Sequence, residues 1–118
     1  MSVRERPADC LFCKVVAGDV PAEIVHATDS AVAFRDINPQ APMHVPVVPS
    51  SHYANAAELA HGEPSCAAEL LTVAAAVAEK EGISDYRPVF NTGAEAGQVV
   101  FHTHLHVLGG RPMTRPPG

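Results

Sequence analysis

The sequence predicts an α+β domain, a largely antiparallel sheet with one long helix lying across a face. Three observations carry that reading. Short β-rich stretches fall on both sides of a single segment with helical periodicity, without the strand-to-helix alternation of parallel sheets. Turn residues punctuate the chain at short intervals. Near the C-terminus, apolar residues alternate with histidines at the period of a strand.

In chain order, Cys10-Leu11-Phe12-Cys13 leads into one or two helical turns over Leu11–Ala17, ended by Gly18-Asp19 before Pro21. Ile24–Ala27, Ala31–Asp36 and His44–Val48 read as strands. Thr28-Asp29-Ser30 turns between the first two, and Asn38-Pro39-Gln40-Ala41-Pro42 is a tight loop before the third. After Pro49 the chain turns polar. Pro64 to Gly82 is the long helix, with Leu70, Val73, Ala74, Val77 and Ala78 at helical spacing and Gly82 as its stop. Arg87–Phe90 and Val99–Leu108 are the last strands, and the tail 111–118 is extended rather than regular.

The run Phe101-His102-Thr103-His104-Leu105-His106-Val107-Leu108 is the most informative segment. In a strand, Val100, His102, His104, His106 and Leu108 share one face, and Phe101, Thr103, Leu105 and Val107 turn to a packed core. Residues two apart lie roughly 6.5–7 Å from each other and the outer pair about 13 Å. One metal ion cannot readily take all three. Two neighbours could chelate, leaving the third for other work, so the spacing predicts divided labour. Imidazole serves as nucleophile, proton carrier, anion-contacting donor or metal ligand near neutral pH. A row of three suits chemistry on a phosphate or carbonyl, against the plainer alternative of three structural histidines.

At 118 residues the chain suits one domain, 1–118, with a short flexible N-terminal segment of about seven residues. Its apolar share of 47% excludes a disordered chain, and no apolar run reaches membrane-spanning length. The charged start lacks a hydrophobic signal core, which points to a cytoplasmic address. A formal charge of −5 with scattered basic residues lacks the footprint of a nucleic-acid binder. A small phosphorylated ligand stays compatible.

Three cysteines in such a chain argue against a disulfide framework. Cys10 and Cys13 could converge on zinc, with His52 and His102 as candidates for the remaining ligands, or form a redox couple, or simply pack. Cys66 reads as a buried apolar residue within the helix. Asn91-Thr92-Gly93-Ala94-Glu95-Ala96-Gly97-Gln98 is a glycine-bearing loop that either cradles a phosphate or merely connects strands. Asp36 either accepts ribose hydroxyls or caps a turn.

The alternating histidines preceded by Gly97-Gln98 resemble the histidine triad (HIT) nucleotide hydrolases and transferases. Cys10 through Lys14, Ala33 through Pro42, His44, Asn91 and His102 through Arg111 are similar, in order, to the Hint branch, the nucleoside phosphoramidases. The resemblance implies a five-stranded HIT-like fold and a homodimer, pairing through the long helix and the strand after it with a continuous sheet. It implies a purine nucleotide substrate, an AMP or GMP conjugate cleaved at the α-phosphorus. His104 would be the nucleophile, forming a nucleotidyl-histidine intermediate, with His106 donating to the phosphoryl oxygens and His44 adjoining. Phe34 and Ile37 would flank the base, Asp36 would hold the ribose, and Asn91 with the Gly97-Gln98-Val99 amides would lie near the phosphate. Cys10, Cys13, His52 and His102 would hold a structural Zn2+.

Two departures from the family pattern stand out. Val99 follows Gly-Gln where many relatives carry Ser, Thr or Glu, and Arg115 precedes Pro-Pro-Gly where an aromatic residue is common. The first removes a side-chain hydrogen bond worth about 0.5–1.5 kcal/mol, which predicts a slower or differently selective reaction. The second favours an acidic or phosphorylated leaving group. The alternatives to a phosphoramidate hydrolase are a dinucleoside polyphosphate hydrolase or nucleotidyl transferase of the same fold, and a nucleotide-binding interaction module with little activity.

Overall fold

The computed structural model describes residues 7–114, so the departure at Arg115 lies outside the described residues, as does most of the N-terminal segment. Its elements are α1 (Leu11–Ala17), β1 (Ile24–Ala27), β2 (Ala31–Phe34), β3 (Met43–Pro49), α2 (Ala56–Gly62), α3 (Pro64–Lys80), β4 (Tyr86–Phe90) and β5 (Leu105–Gly109). A 3-10 turn, Ala94–Ala96, lies between the last two strands. The five strands form one sheet in the order β1-β2-β3-β5-β4, and every neighbouring pair is antiparallel. This is the architecture expected from the sequence.

Strand β3 is buried along its whole length because both faces of the sheet are covered. Met43, Val45 and Val47 join Leu105 and Val107 against Leu70, Val73, Val77 and Ala78 of α3. Val48 turns the other way and packs with Phe34, Cys10, Phe12, Cys13 and Val15, beneath the N-terminal helix. Period-two alternation therefore divides the molecule. One sheet face serves the α3 core, and the other carries His44 and His106 between β3 and β5, where His44 pairs with Leu108 and Pro46 with His106.

Two expectations need correction. The strand expected over Val99–Leu108 forms only at Leu105–Gly109. Ahead of it, Thr103 donates both its N–H (2.7 Å) and its hydroxyl (3.1 Å) to the Tyr53 carbonyl. Those bonds draw the backbone out of the ladder and onto the loop after β3. Phe101, expected in the core, is 52% exposed. The second correction is α2, a helix lying before the expected one. Asn55 caps it by accepting from Glu58 N–H at 3.0 Å, and Leu59 is its buried anchor. The strands β2, β3 and β4 and helix α3 differ from expectation only at their ends.

The turn after β5 rests on glycine. Gly110 has φ +92°, and a Cβ there would stand 2.9 Å from Pro42 Cβ. Gly110→Ala is expected to cost about 2 kcal/mol through left-handed strain and this clash. Urea unfolding checks it, and a loss below about 0.5 kcal/mol would contradict the account.

Candidate active site

The three histidines of the C-terminal run end in different surroundings. His102 is fully buried. Its Nε2 lies 2.9 Å from the Pro49 carbonyl, which can only accept, so the proton sits on Nε2 and the Nδ1 lone pair faces inward. That Nδ1 is 3.4 Å from Cys10 Sγ, 3.4 Å from Cys13 Sγ and 3.1 Å from His52 Nδ1. His52 Nδ1 is also 3.4 Å from Cys13 Sγ. Four soft or borderline donors thus converge from three parts of the chain, their atoms within 4.8 Å of one another. Tetrahedral zinc with ordinary bond lengths requires edges of ~3.3 Å between imidazole nitrogens and ~3.5 Å between nitrogen and sulfur. The observed spacings fit that requirement, and the donor set is one that can hold a metal ion.

His104 is buried too, and its Nδ1 donates to the His102 carbonyl at 2.8 Å. A carbonyl has no proton to give, so Nδ1 bears the hydrogen and Nε2 presents a lone pair. Phe12, from the turn between the two cysteines, packs edge-on against this ring with centroids 4.9 Å apart. Burial pushes the His104 pKa below the ordinary imidazole value.

His44 and His106 form a directed chain. Gln40 N–H donates to His44 Nδ1 at 3.0 Å, which leaves the His44 proton on Nε2. His44 Nε2 lies 2.9 Å from His106 Nδ1 and donates to it. The His106 proton is therefore on Nε2. Burial, reinforced by the neighbouring His104 and His44 rings, pushes its pKa down to about 4. His44 is likewise lowered, chiefly by burial. Asp36 Oδ2 approaches His44 Nε2 at 3.4 Å. Asp36, His44 and His106 also lie close enough to suggest a metal site. Their lone pairs do not converge, because the amide of Gln40 occupies one imidazole nitrogen and the second ring receives a proton from the first.

A cleft of about 640 Å³ opens beside these rings. Phe34, Asp36, Ile37, Val99, His104 and His106 all line it, so six of the expected nucleotide contacts are brought together. Ile37 is 99% exposed and Val99 83%, which puts both at the rim. Asp36 Oδ1 accepts from Asn38 N–H at 2.8 Å, so its turn-capping use is realised while the residue also lines the cleft. The Gln98 side chain is buried and committed to the backbone. It donates to the Ala54 (2.6 Å) and Val100 (3.0 Å) carbonyls and accepts from Gly93 N–H (2.9 Å). Gln98 thus shapes the loop, and only its main chain remains for a ligand. Gly97 adopts φ +94° at the end of the 3-10 turn, a position that suits glycine. Asn91 lines a second, smaller cleft that His106 also borders.

Phe12 is the residue that sequence reasoning missed. It touches Phe34, His102 and His104 at once. Its place between the two cysteines was the available signal, since anything holding those thiols also holds this ring.

A sheet with a histidine triad whose middle ring is fixed as a free Nε2 lone pair, beside an apolar cleft, defines a class of phosphorus- or carbonyl-directed sites. The HIT domain family model matches residues 17–113, and the chain belongs to this family. It is 42% identical over 111 residues to an uncharacterized HIT-like protein of Synechococcus elongatus, covering 93% of this chain and 97% of that one. It is 38% identical over 107 residues to the purine nucleoside phosphoramidase of Escherichia coli K12, covering 89% and 90%. A HIT family hydrolase from Clostridium thermocellum superposes with a TM-score of 0.90 at 37% identity, over 94% of this chain and 98% of that one. Among the described residues, no helix is long and apolar enough to cross a membrane.

The depressed imidazoles give a pH dependence whose sign is definite. His44, His104 and His106 take a proton less readily folded than unfolded. Above the ordinary imidazole pKa of about 6.5 both states hold them neutral, and their contribution to stability is complete. As pH falls from there toward about 4, the unfolded chain binds more protons and the folded state loses stability. His106→Asn is therefore expected to gain on the parent, in urea midpoint, as pH is lowered through that window. A midpoint difference that does not move with pH would contradict the burial of a neutral ring.

Proposed function

We propose that this chain hydrolyses purine nucleoside phosphoramidates, attacking the α-phosphorus with His104. The observation that carries the reading is the 2.8 Å bond from His104 Nδ1 to the His102 carbonyl, which leaves Nε2 as an oriented, unprotonated nucleophile on the cleft. Nε2 forms a bond to phosphorus as the bond to the departing nitrogen breaks. The amine leaves with its electron pair and takes a proton from a water, whose hydroxide then cleaves the nucleotidyl-histidine to release the monophosphate and neutral His104. His106 stays neutral and donates from Nε2 to the phosphoryl oxygens as charge builds on them. His44 positions that ring through its own proton. Phe34 and Ile37 flank the base, Asp36 holds the ribose, and the amides of Gly97, Gln98 and Val99 together with Asn91 approach the phosphate. The 38% identity to a purine nucleoside phosphoramidase supports the substrate class.

Cys10, Cys13, His52 and His102 are proposed to hold Zn2+ in a structural role. When bound, the ion would supply charge neutralisation for two thiolates and a tie between the N-terminal turn and the sheet. The protein is further proposed to act in the cytoplasm as a homodimer, and neither nucleic acid nor a membrane is among its proposed partners. Two features support pairing: β4 ends the sheet with its outer edge unpaired among the described residues, and Leu71 on α3 is half exposed.

Two outcomes follow. Replacing the nucleophile, His104→Ala, is expected to lower kcat/KM for an adenosine phosphoramidate carrying a fluorescent amine by about a thousand-fold or more, with AMP affinity largely retained. Turnover by the variant at the parent rate would sink the mechanism. Chelation of bound zinc is expected to lower Tm by about 10 °C, matching about 2.7 kcal/mol lost from a site held at a hundred times its Kd. Calorimetry with metal analysis reads this, and an unchanged Tm after complete metal loss would overturn the structural role.

A further inference from the structure

His106 borders two clefts, and the second carries chemistry that the nucleotide half of the site does not use. This cleft has a volume of about 210 Å³ and is lined by Gln40, His44, Arg87, Asn91, His106 and Arg111, among others. Strand register places Arg87 opposite Leu108, which is itself opposite His44, so the three share the face that carries His106. Arg87 thus stands two strand spacings, roughly 10 Å, from His44. Arg111 reaches the same cleft from beyond β5. Its Nε and Nη2 donate to the Gln40 carbonyl at 3.3 and 2.9 Å, on the residue whose amide orients His44.

The partners of the arginines differ between the two clefts. Arg35, on the first cleft, is bound by the carboxylates of Glu23 and Glu81 at 2.8 Å each, and its charge is answered there. Arg87 and Arg111 meet carbonyls instead. Arg87 donates to Thr114 O at 3.2 Å, and Arg111 donates to Gln40 O and Pro112 O. No carboxylate is among the described residues lining the second cleft. Among the described residues neither arginine forms an ion pair, although Asp85 stands with both on an adjoining cleft of about 650 Å³.

Geometry says what enters that space. Displacement at phosphorus runs in line, with the leaving group opposite the nucleophile. His104 lines only the first cleft, whereas His106 lines both. A phosphorus held between His104 and His106 sends its leaving group past His106 into the second cleft. At about 210 Å³ that cleft is smaller than the ~300–1,000 Å³ of ordinary ligand pockets. It suits a compact group held against Arg87 and Arg111.

Resting on the phosphoramidase reading above, we propose that Arg87 and Arg111 form a leaving-group subsite selecting small amines that carry an anionic group, a carboxylate or a phosphate. The anion pairs with the guanidinium forks while the amine nitrogen stays on phosphorus. Arg87 and Arg111 are thereby specificity-determining residues, while the bond-making step remains with His104.

The test compares adenosine 5′-phosphoramidates of glycine, glycinamide and aminomethylphosphonate, which differ little in size and differ in charge. The parent is expected to favour one or both anionic substrates over glycinamide by about ten-fold in kcat/KM at low salt. That ratio should approach one in the Arg87→Gln, Arg111→Gln double variant, and it should shrink for the parent as ionic strength rises. A faster glycine compound identifies a carboxylate subsite, and a faster phosphonate identifies a phosphate subsite. Equal rates for all three in the parent, or a preference that survives the double variant, would overturn the subsite and leave the hydrolase reading standing. Absence of turnover for all three would overturn both.

Discussion

The buried ring of His102 is the joint on which the rest of the structure depends. Its Nε2 proton goes to the Pro49 carbonyl at the end of β3, its Nδ1 faces two thiols and a second imidazole, and its own carbonyl fixes His104. One residue therefore fastens the N-terminal turn, the loop after β3 and the start of β5 to each other. It leaves the next histidine with a defined tautomer. A side chain so deeply buried must have every polar atom answered. Each answer here is also a connection between distant parts of the chain.

The sheet separates stability from chemistry by period-two alternation. Leu105, Val107, Val45 and Val47 face α3, and the residues between them face the site. Neither face is left to solvent along β3. His44 and His106 consequently sit on the central strands β3 and β5, and His104 immediately precedes β5. Their burial keeps the imidazoles neutral near pH 7, the state in which one ring can attack and another can donate. The same burial disfavours protonation, so the site holds its chemistry at the expense of acid stability.

Around His106 the molecule is asymmetric. On one side lies a larger cleft whose single arginine is already neutralised by two carboxylates. On the other lies a smaller one whose arginines rest only on carbonyls. Electrostatics thus distinguishes the two clefts. The apolar side suits a base and ribose, and the cationic side suits an anion.

Much was legible without coordinates, because local physics dictates it. Leu11–Ala17 has a clear helix stop in Gly18-Asp19, α3 shows its apolar stripe, and β1 to β3 are short β-rich runs between turn residues. The Cys-x-x-Cys spacing and the alternating histidines named their own chemistry, and Phe34, Asp36 and Ile37 do reach one cleft. Helix α2 is also written locally, in Asn55-Ala56-Ala57-Glu58 before Leu59. What required tertiary structure was every choice among distant partners. Thr103 prefers the Tyr53 carbonyl to a ladder bond, which ends the strand early. His44 meets His106 across 62 residues of chain, and that contact sets the His106 tautomer once the Gln40 amide has set that of His44. Arg35 pairs with two carboxylates while Arg87 and Arg111 rest on backbone carbonyls. Periodicity and turn chemistry act over a few residues and are visible in the sequence. Protonation and charge compensation depend on which polar atoms meet after folding, and only the assembled sheet decides that.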